Sequence, residues 1–156
     1  MEDNYTVERS TIIKAPAALI YEQIADFHRW TAWSPWEDLD PDMQRTYSGP
    51  ESGLGAAYAW SGNRKVGEGR MEITALARPS RVEVALDFLK PFKSSGTNTF
   101  GLVAEGEATR VTWTMSGPKT LMTRVMGLFK SMDKMIGPDF EKGLERLASV
   151  TERSAG

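Results

Sequence analysis

The stretch Gly67–Lys90, GEGRMEITALARPSRVEVALDFLK, decides the fold. In its first half Met71, Ile73 and Ala75 share one face and Arg70, Glu72 and Thr74 share the other. In its second half Val82, Val84, Leu86 and Phe88 oppose Glu83 and Asp87. Alternation with a period of two marks a half-buried strand, because successive side chains point to opposite faces. The link between the halves, Ala77-Arg-Pro-Ser80, is far shorter than the dozen or so residues that a parallel crossover needs, so the two strands pair antiparallel.

The same pattern extends outward from this hairpin. Strands are predicted at about Asp42–Ser48, Ala56–Trp60, Gly67–Leu76, Arg81–Leu89, Thr97–Ala104 and Arg110–Ser116. Tyr58 and Trp60 share a face, as do Asn98 and Phe100, and Val111, Trp113 and Met115. Ser61-Gly62-Asn63 and Glu105-Gly-Glu-Ala108 are links of hairpin length. Ahead of these runs, Tyr5–Lys14 is rich in β-branched residues, has no breaker and reads as a further strand. Pro16 suits the first position of a helix. Leu19, Ile20, Ile24 and Phe27 then recur at helical spacing, predicting one helix or two short ones from Pro16 to about Trp30, with Asp26 able to cap the second.

After Gly117-Pro118 the period changes. Leu121, Val125, Leu128, Met132, Ile136, Phe140, Leu144 and Leu147 recur at steps of three or four, the stripe of a long amphipathic helix. Pro138 is expected to bend or break it. The order is therefore β–α(α)–β₆–α. A sheet with one apolar, strongly aromatic face and a helix with one apolar stripe bury each other.

Composition narrows the function classes. The 156 residues fit one domain. The absence of cysteine removes disulfides, thiolate metal sites and a cysteine nucleophile. A net charge of −2 argues against a nucleic-acid backbone as partner. No run approaches the roughly 18 apolar residues of a membrane span, and the start Met-Glu-Asp-Asn has no basic or apolar leader, so a cytoplasmic location without stable membrane insertion is expected.

Beyond the element order, the residues Ile12-Ile-Lys-Ala-Pro16, Ile24-Ala-Asp-Phe27 and Trp30-x-x-Trp33-Ser-Pro-Trp36 are followed by Gly53-x-Gly55-x-x-x-x-Trp60-x-Gly62 and Gly67-Glu-Gly69. Phe88-Leu-Lys-Pro91, Thr109-Arg-Val-Thr-Trp113 and Gly137-x-Asp-Phe-Glu-x-Gly-Leu144 complete the set. On these residues the chain resembles the START-like (SRPBCC) superfamily, and within it the polyketide cyclase/dehydrase-type branch, over about Val7–Val150. The resemblance implies the α+β helix-grip fold, with a seven-stranded curved antiparallel sheet around a long C-terminal helix. It also implies one domain over residues 1–156, with a core of about 5–150. It implies a cavity between sheet and helix for an apolar ligand, and no single chemistry.

Large, deformable side chains on the facing surfaces suit such a cavity. The expected lining is Trp33, Trp36, Tyr58, Trp60, Met71, Ile73, Val84, Leu86, Phe88, Asn98, Phe100, Trp113, Met115, Phe129 and Met132, around a small lipid-, acyl- or polyketide-like ligand. The alternative is a cyclase/aromatase or dehydratase acting in the same cavity. No catalytic residue is assigned, and neither a metal nor a cofactor is expected. His28, the single histidine, reads as a surface residue. Asp38-x-Asp40-x-Asp42 opens like a calcium loop, but Met43 and Gly49 stand where glycine and glutamate are needed. Glu72, Glu83 and Asp87 fall on the polar face, away from any buried acid–base role. The sequence leaves the oligomeric state open.

Overall fold

A computed structural model describes residues 4–36, 40, 42–63, 67–90, 93–118 and 132–155. Seven strands form one open, curved antiparallel sheet: β1 (Asn4–Ile13), β2 (Gln44–Ser48), β3 (Ala57–Ser61), β4 (Glu68–Ala77), β5 (Arg81–Lys90), β6 (Ser94–Glu105) and β7 (Ala108–Pro118). Their order is β1-β7-β6-β5-β4-β3-β2, so the last strand pairs with the first and the rest is a meander. Helix α1 (Ala17–Ile24) and a 3₁₀ helix (Phe27–Ala32) follow β1, and helix α2 (Met132–Ala155) closes the chain. This is the helix-grip α+β architecture.

Local chemistry explains the boundaries. Pro16 is extended, with φ −68° and ψ 150°, and sits one residue before α1 rather than at its first position. The Asp26 carboxylate accepts from the His28 backbone N–H at 2.9 Å and starts the 3₁₀ helix, so the predicted helical stretch resolves into two pieces. In β4 the alternation shifts at a bulge between Ile73 and Ala75. Sequence alternation puts Ala75 on the apolar face, but after the bulge it is Leu76 that pairs with Val82 and packs on the core.

Helix α2 passes through Pro138 without a break, contrary to the stronger form of the sequence expectation. Proline costs one internal hydrogen bond there, and the packing of Ile136, Phe140, Leu144 and Leu147 on the core holds the helix together across it. Leu121, Val125 and Leu128 of the predicted stripe lie outside the described residues.

The sheet and α2 are joined through aromatic rings. The Trp113 indole stacks on Phe140 with ring centroids 4.0 Å apart and planes only 7° from parallel. Trp33, Trp36 and Phe100 pack around the same indole at 5.7, 5.7 and 4.9 Å. Gly143 lies one turn further along α2 and permits the approach. A Cβ there would stand 2.9 Å from the Trp113 ring and 3.0 Å from Pro35.

Two outcomes are expected. A chain ending at Ile136 loses Phe140, Leu144 and Leu147, each contributing about 1.5–3 kcal/mol on burial. It should show no cooperative urea transition; a sharp transition would contradict α2 as the main partner of the sheet. Gly143→Leu should lower stability by about 2–3 kcal/mol through overpacking against Trp113 and Pro35. Equilibrium unfolding that shows no loss would mean the ring stack can yield.

Candidate functional site

Strand register arranges the inner face of the sheet in rows. The outermost is Trp60–Gly69–Phe88. Next come Tyr58–Met71–Leu86–Gly96, continued by Gly117 and its β1 partner Tyr5. The third row is Ile73–Val84–Asn98–Met115–Val7. The fourth is Val82–Phe100–Trp113–Arg9.

Burial rises along this series. Val82, Phe100 and Trp113 of the fourth row are fully buried. Met71, Leu86 and Met115 keep between 4% and 8% exposure, and Trp60 and Phe88 are only half-buried. The fourth row is sealed by Trp33, Trp36 and Phe140, and the first row is the open end.

Two aromatic rings at the open end, Trp60 and Tyr5, lie over glycines. The Trp60 indole covers Gly69, where a Cβ would come within 2.6 Å of it. Trp60 meets Phe88 edge-on at 5.7 Å and stacks on Tyr58 at 6.1 Å. From the opposite side the Tyr5 ring crosses Gly117 and Gly96, its hydroxyl 3.2 Å from where either glycine would carry a Cβ. The missing Cβ atoms at Gly69, Gly96 and Gly117 deepen the concave face, and Met71, Leu86 and Met115 line its floor.

The predicted site residues therefore separate into two groups. Tyr58, Trp60, Met71, Leu86, Phe88, Asn98 and Met115 are brought together at the open end, with Ile73 and Val84 beneath. Trp33, Trp36, Phe100 and Trp113 gather in the sealed cluster around Phe140. The Trp33 indole N–H is committed to the Gln23 carbonyl at 3.1 Å. Phe129 lies outside the described residues, and Met132 begins α2.

Two inner-face residues escape the sequence pattern. Tyr5 is one. Arg9 is the other: it lies across α2 at Gly137, whose absent side chain makes room for the guanidinium, and its Nε donates to Glu141 at 2.8 Å. An arginine among apolar neighbours gives no alternation signal; the Gly137-x-x-x-Glu141 spacing on α2 is the matching feature.

Ionisable groups on the outer face have their own partners. Glu72 pairs with Arg70 at 3.2 Å, Glu83 with Arg81 at 3.1 Å, and Asp87 accepts from Ser95 at 2.8 Å. His28 is half-exposed at a small open groove of about 230 Å³, lined also by Phe27, Tyr47 and Glu51. Its ring stacks on Tyr47 at 4.0 Å, and its Nδ1 is 2.9 Å from Asp26. Among the described residues no three His, Asp or Glu side chains gather as a metal site, and no helix is long and apolar enough to cross a membrane.

Comparison with known proteins agrees with this geometry. Residues 5–152 match the family described as polyketide cyclase / dehydrase and lipid transport. Major latex-like protein 151 of Panax ginseng is 14% identical and superposes with a TM-score of 0.68 over 96% of this chain and 99% of its own. Protein MLL2253 of Mesorhizobium loti is 18% identical, with a TM-score of 0.67 over 96% and 98%. Protein CV1439 of Chromobacterium violaceum is 12% identical, with a TM-score of 0.66 over 94% and 96%. At such identities the likeness speaks for the fold. None of the curated proteins matches the chain.

Burial pushes the Tyr5 hydroxyl above its ordinary pKa of 10.0. The folded state then holds this proton more tightly than the unfolded chain does. Its contribution to stability is full below pH about 10 and is lost as pH rises through the folded value. Urea unfolding at about pH 8 and about pH 11 should show a steeper alkaline loss for the native protein than for Tyr5→Phe. Equal slopes would contradict the buried placement of this ring.

Proposed function

The chain belongs to the polyketide cyclase/dehydrase and lipid transport family, and from that premise we propose that it binds and carries a small apolar ligand between the inner face of the sheet and α2. The ligand class is lipid-, acyl- or polyketide-like. The observation that carries this reading is the gradient of burial. Trp33, Trp36, Phe100 and Trp113 seal the deep end, while Trp60, Phe88, Met71, Leu86 and Met115 leave apolar, adaptable surface incompletely covered at the other. Unbranched methionines fill a void of changing shape better than branched side chains do. Tyr58 and Asn98 supply polar edges, and Ile73 and Val84 the floor.

The cyclase or dehydratase alternative needs an acid–base group facing the ligand. Glu72, Glu83 and Asp87, the carboxylates of the central strands, face outward with their own partners. Carriage therefore accounts for the inner face with fewer requirements.

The test uses N-phenyl-1-naphthylamine, a neutral apolar fluorophore. It should bind at about one site with micromolar affinity, roughly −8 kcal/mol, with a blue-shifted emission and altered Trp60 fluorescence. Met71→Arg should abolish binding by placing an unpaired charge in apolar space, in a protein whose circular dichroism still reports the fold. Glu72→Gln, on the outer face, should bind like the native protein. Unchanged binding by folded Met71→Arg, or its loss in Glu72→Gln, would overturn the assignment.

A further inference from the structure

Asn98 stands in the third row of the inner face, opposite Val84 and Met115, and is 3% exposed. Its one side-chain hydrogen bond among the described residues comes from the Trp113 indole, at 2.9 Å. An indole N–H only donates, so the atom that receives it is Oδ1, and the amide cannot be reversed. Trp113 belongs to the deeper fourth row. With Oδ1 turned that way, the Asn98 NH₂ group faces the shallower second row. Among the described residues no sealed-off side-chain nitrogen or oxygen lacks a hydrogen-bond partner. The Asn98 amide nitrogen has none among the described residues, so it is not fully sealed off and keeps a small accessible surface.

The second row at that point is Gly96, two residues from Asn98 on the same strand and face. The hydroxyl there is that of Tyr5, 3.2 Å from where Gly96 would carry a Cβ, with the Met115 methyl close by at 3.8 Å from that point. No hydrogen bond to this hydroxyl is formed among the described residues. Burial keeps it protonated, so it is available as a donor. The Cα atoms of alternate residues on a strand are about 7 Å apart, and the reach of the Asn98 side chain shortens that gap towards the roughly 6 Å that two hydrogen bonds to one oxygen span.

We propose that Asn98 and Tyr5 form a two-donor anchor for an uncharged carbonyl oxygen of the apolar ligand. The anchor rests on the binding reading above and names the functional group that the site selects: a ketone, ester or amide rather than a hydrocarbon or a carboxylate. Both donors are neutral, and a carboxylate buried against neutral donors alone pays a larger desolvation cost than a carbonyl. Among the described residues the cation of the deeper rows is Arg9, ion-paired to Glu141 at 2.8 Å.

Three probes of one size test this: 2-acetylnaphthalene, 2-isopropylnaphthalene and 2-naphthoate. The ketone should bind the native protein about tenfold tighter than the hydrocarbon, and tighter than the carboxylate. Tyr5→Phe removes only the hydroxyl. It should cut the ketone's advantage several-fold and leave the hydrocarbon's affinity unchanged. Asn98→Leu should remove most of the remaining advantage. In infrared spectra the bound ketone's carbonyl stretch should lie at lower wavenumber than in hexane and move back up in Tyr5→Phe, a readout that a merely structural tyrosine would not shift. Equal binding of ketone and hydrocarbon by the native protein overturns the anchor and leaves the apolar binding reading standing. Tighter binding of the carboxylate overturns the choice of functional group. Failure of all three probes to bind overturns the binding reading and the anchor with it.

Discussion

The flat stack of Trp113 on Phe140 is the contact on which the rest of the molecule depends. It sets the distance between the sheet and α2, because two rings 4.0 Å apart cannot approach further. It dictates glycine at position 143, where the helix passes the edge of the same indole. It also leaves the Trp113 N–H in need of an acceptor, which Asn98 provides. A buried aromatic residue removes 150–250 Å² of surface from water, so one such pair can hold a helix whose other side is solvated.

That stack lies at one end of the grip. Trp30, Trp33 and Trp36, delivered by the 3₁₀ helix and the loop after it, crowd the same end, and Trp30 and Trp33 spend their indole N–H groups on carbonyls of Ile24 and Gln23. A strongly curved sheet cannot be filled evenly by one straight helix. Packing is tight around Phe140, whereas at the first rows Trp60 and Phe88 stay half-buried and glycine replaces side chains on β4, β6 and β7. The deep end therefore holds the fully buried rings, and the shallow end keeps part of its aromatic surface exposed.

Much of this was legible in the residues. Clean alternation in β4 and β5 placed Met71, Ile73, Val84 and Leu86 inside and Glu72, Glu83 and Asp87 outside, because each strand has one wet face. The stripe from Ile136 to Leu147 named the helix partner. What alternation cannot distinguish is a ring that seals from a ring that lines. Trp60 and Trp113 carry the same local signal, yet one is half-buried over Gly69 and the other lies under Phe140, a difference set by where a helix some thirty residues away in sequence crosses the sheet. β1 was the least legible strand. Its inner face, Tyr5, Val7, Arg9, Thr11 and Ile13, mixes polar and apolar residues, and Arg9 makes sense only beside Gly137 and Glu141. The bulge in β4 was equally silent, since nothing in Thr74-Ala75-Leu76 announces a register shift.

An open sheet has two free edges, each a row of unpaired backbone groups able to recruit a strand from another molecule. In this order they are β1 and β2. β2 is only five residues long, and its Gln44, Thr46 and Ser48 are exposed and polar, a poor template. β1 has ten residues and would be a good one. Helix α2 runs along it, the Glu141 carboxylate holds Arg9, and Glu152 accepts the backbone N–H of Lys14 at 2.9 Å, just past the end of the strand. The helix that grips the sheet thus also runs along its long margin, so that one element both closes the core and shields the edge most open to strand addition.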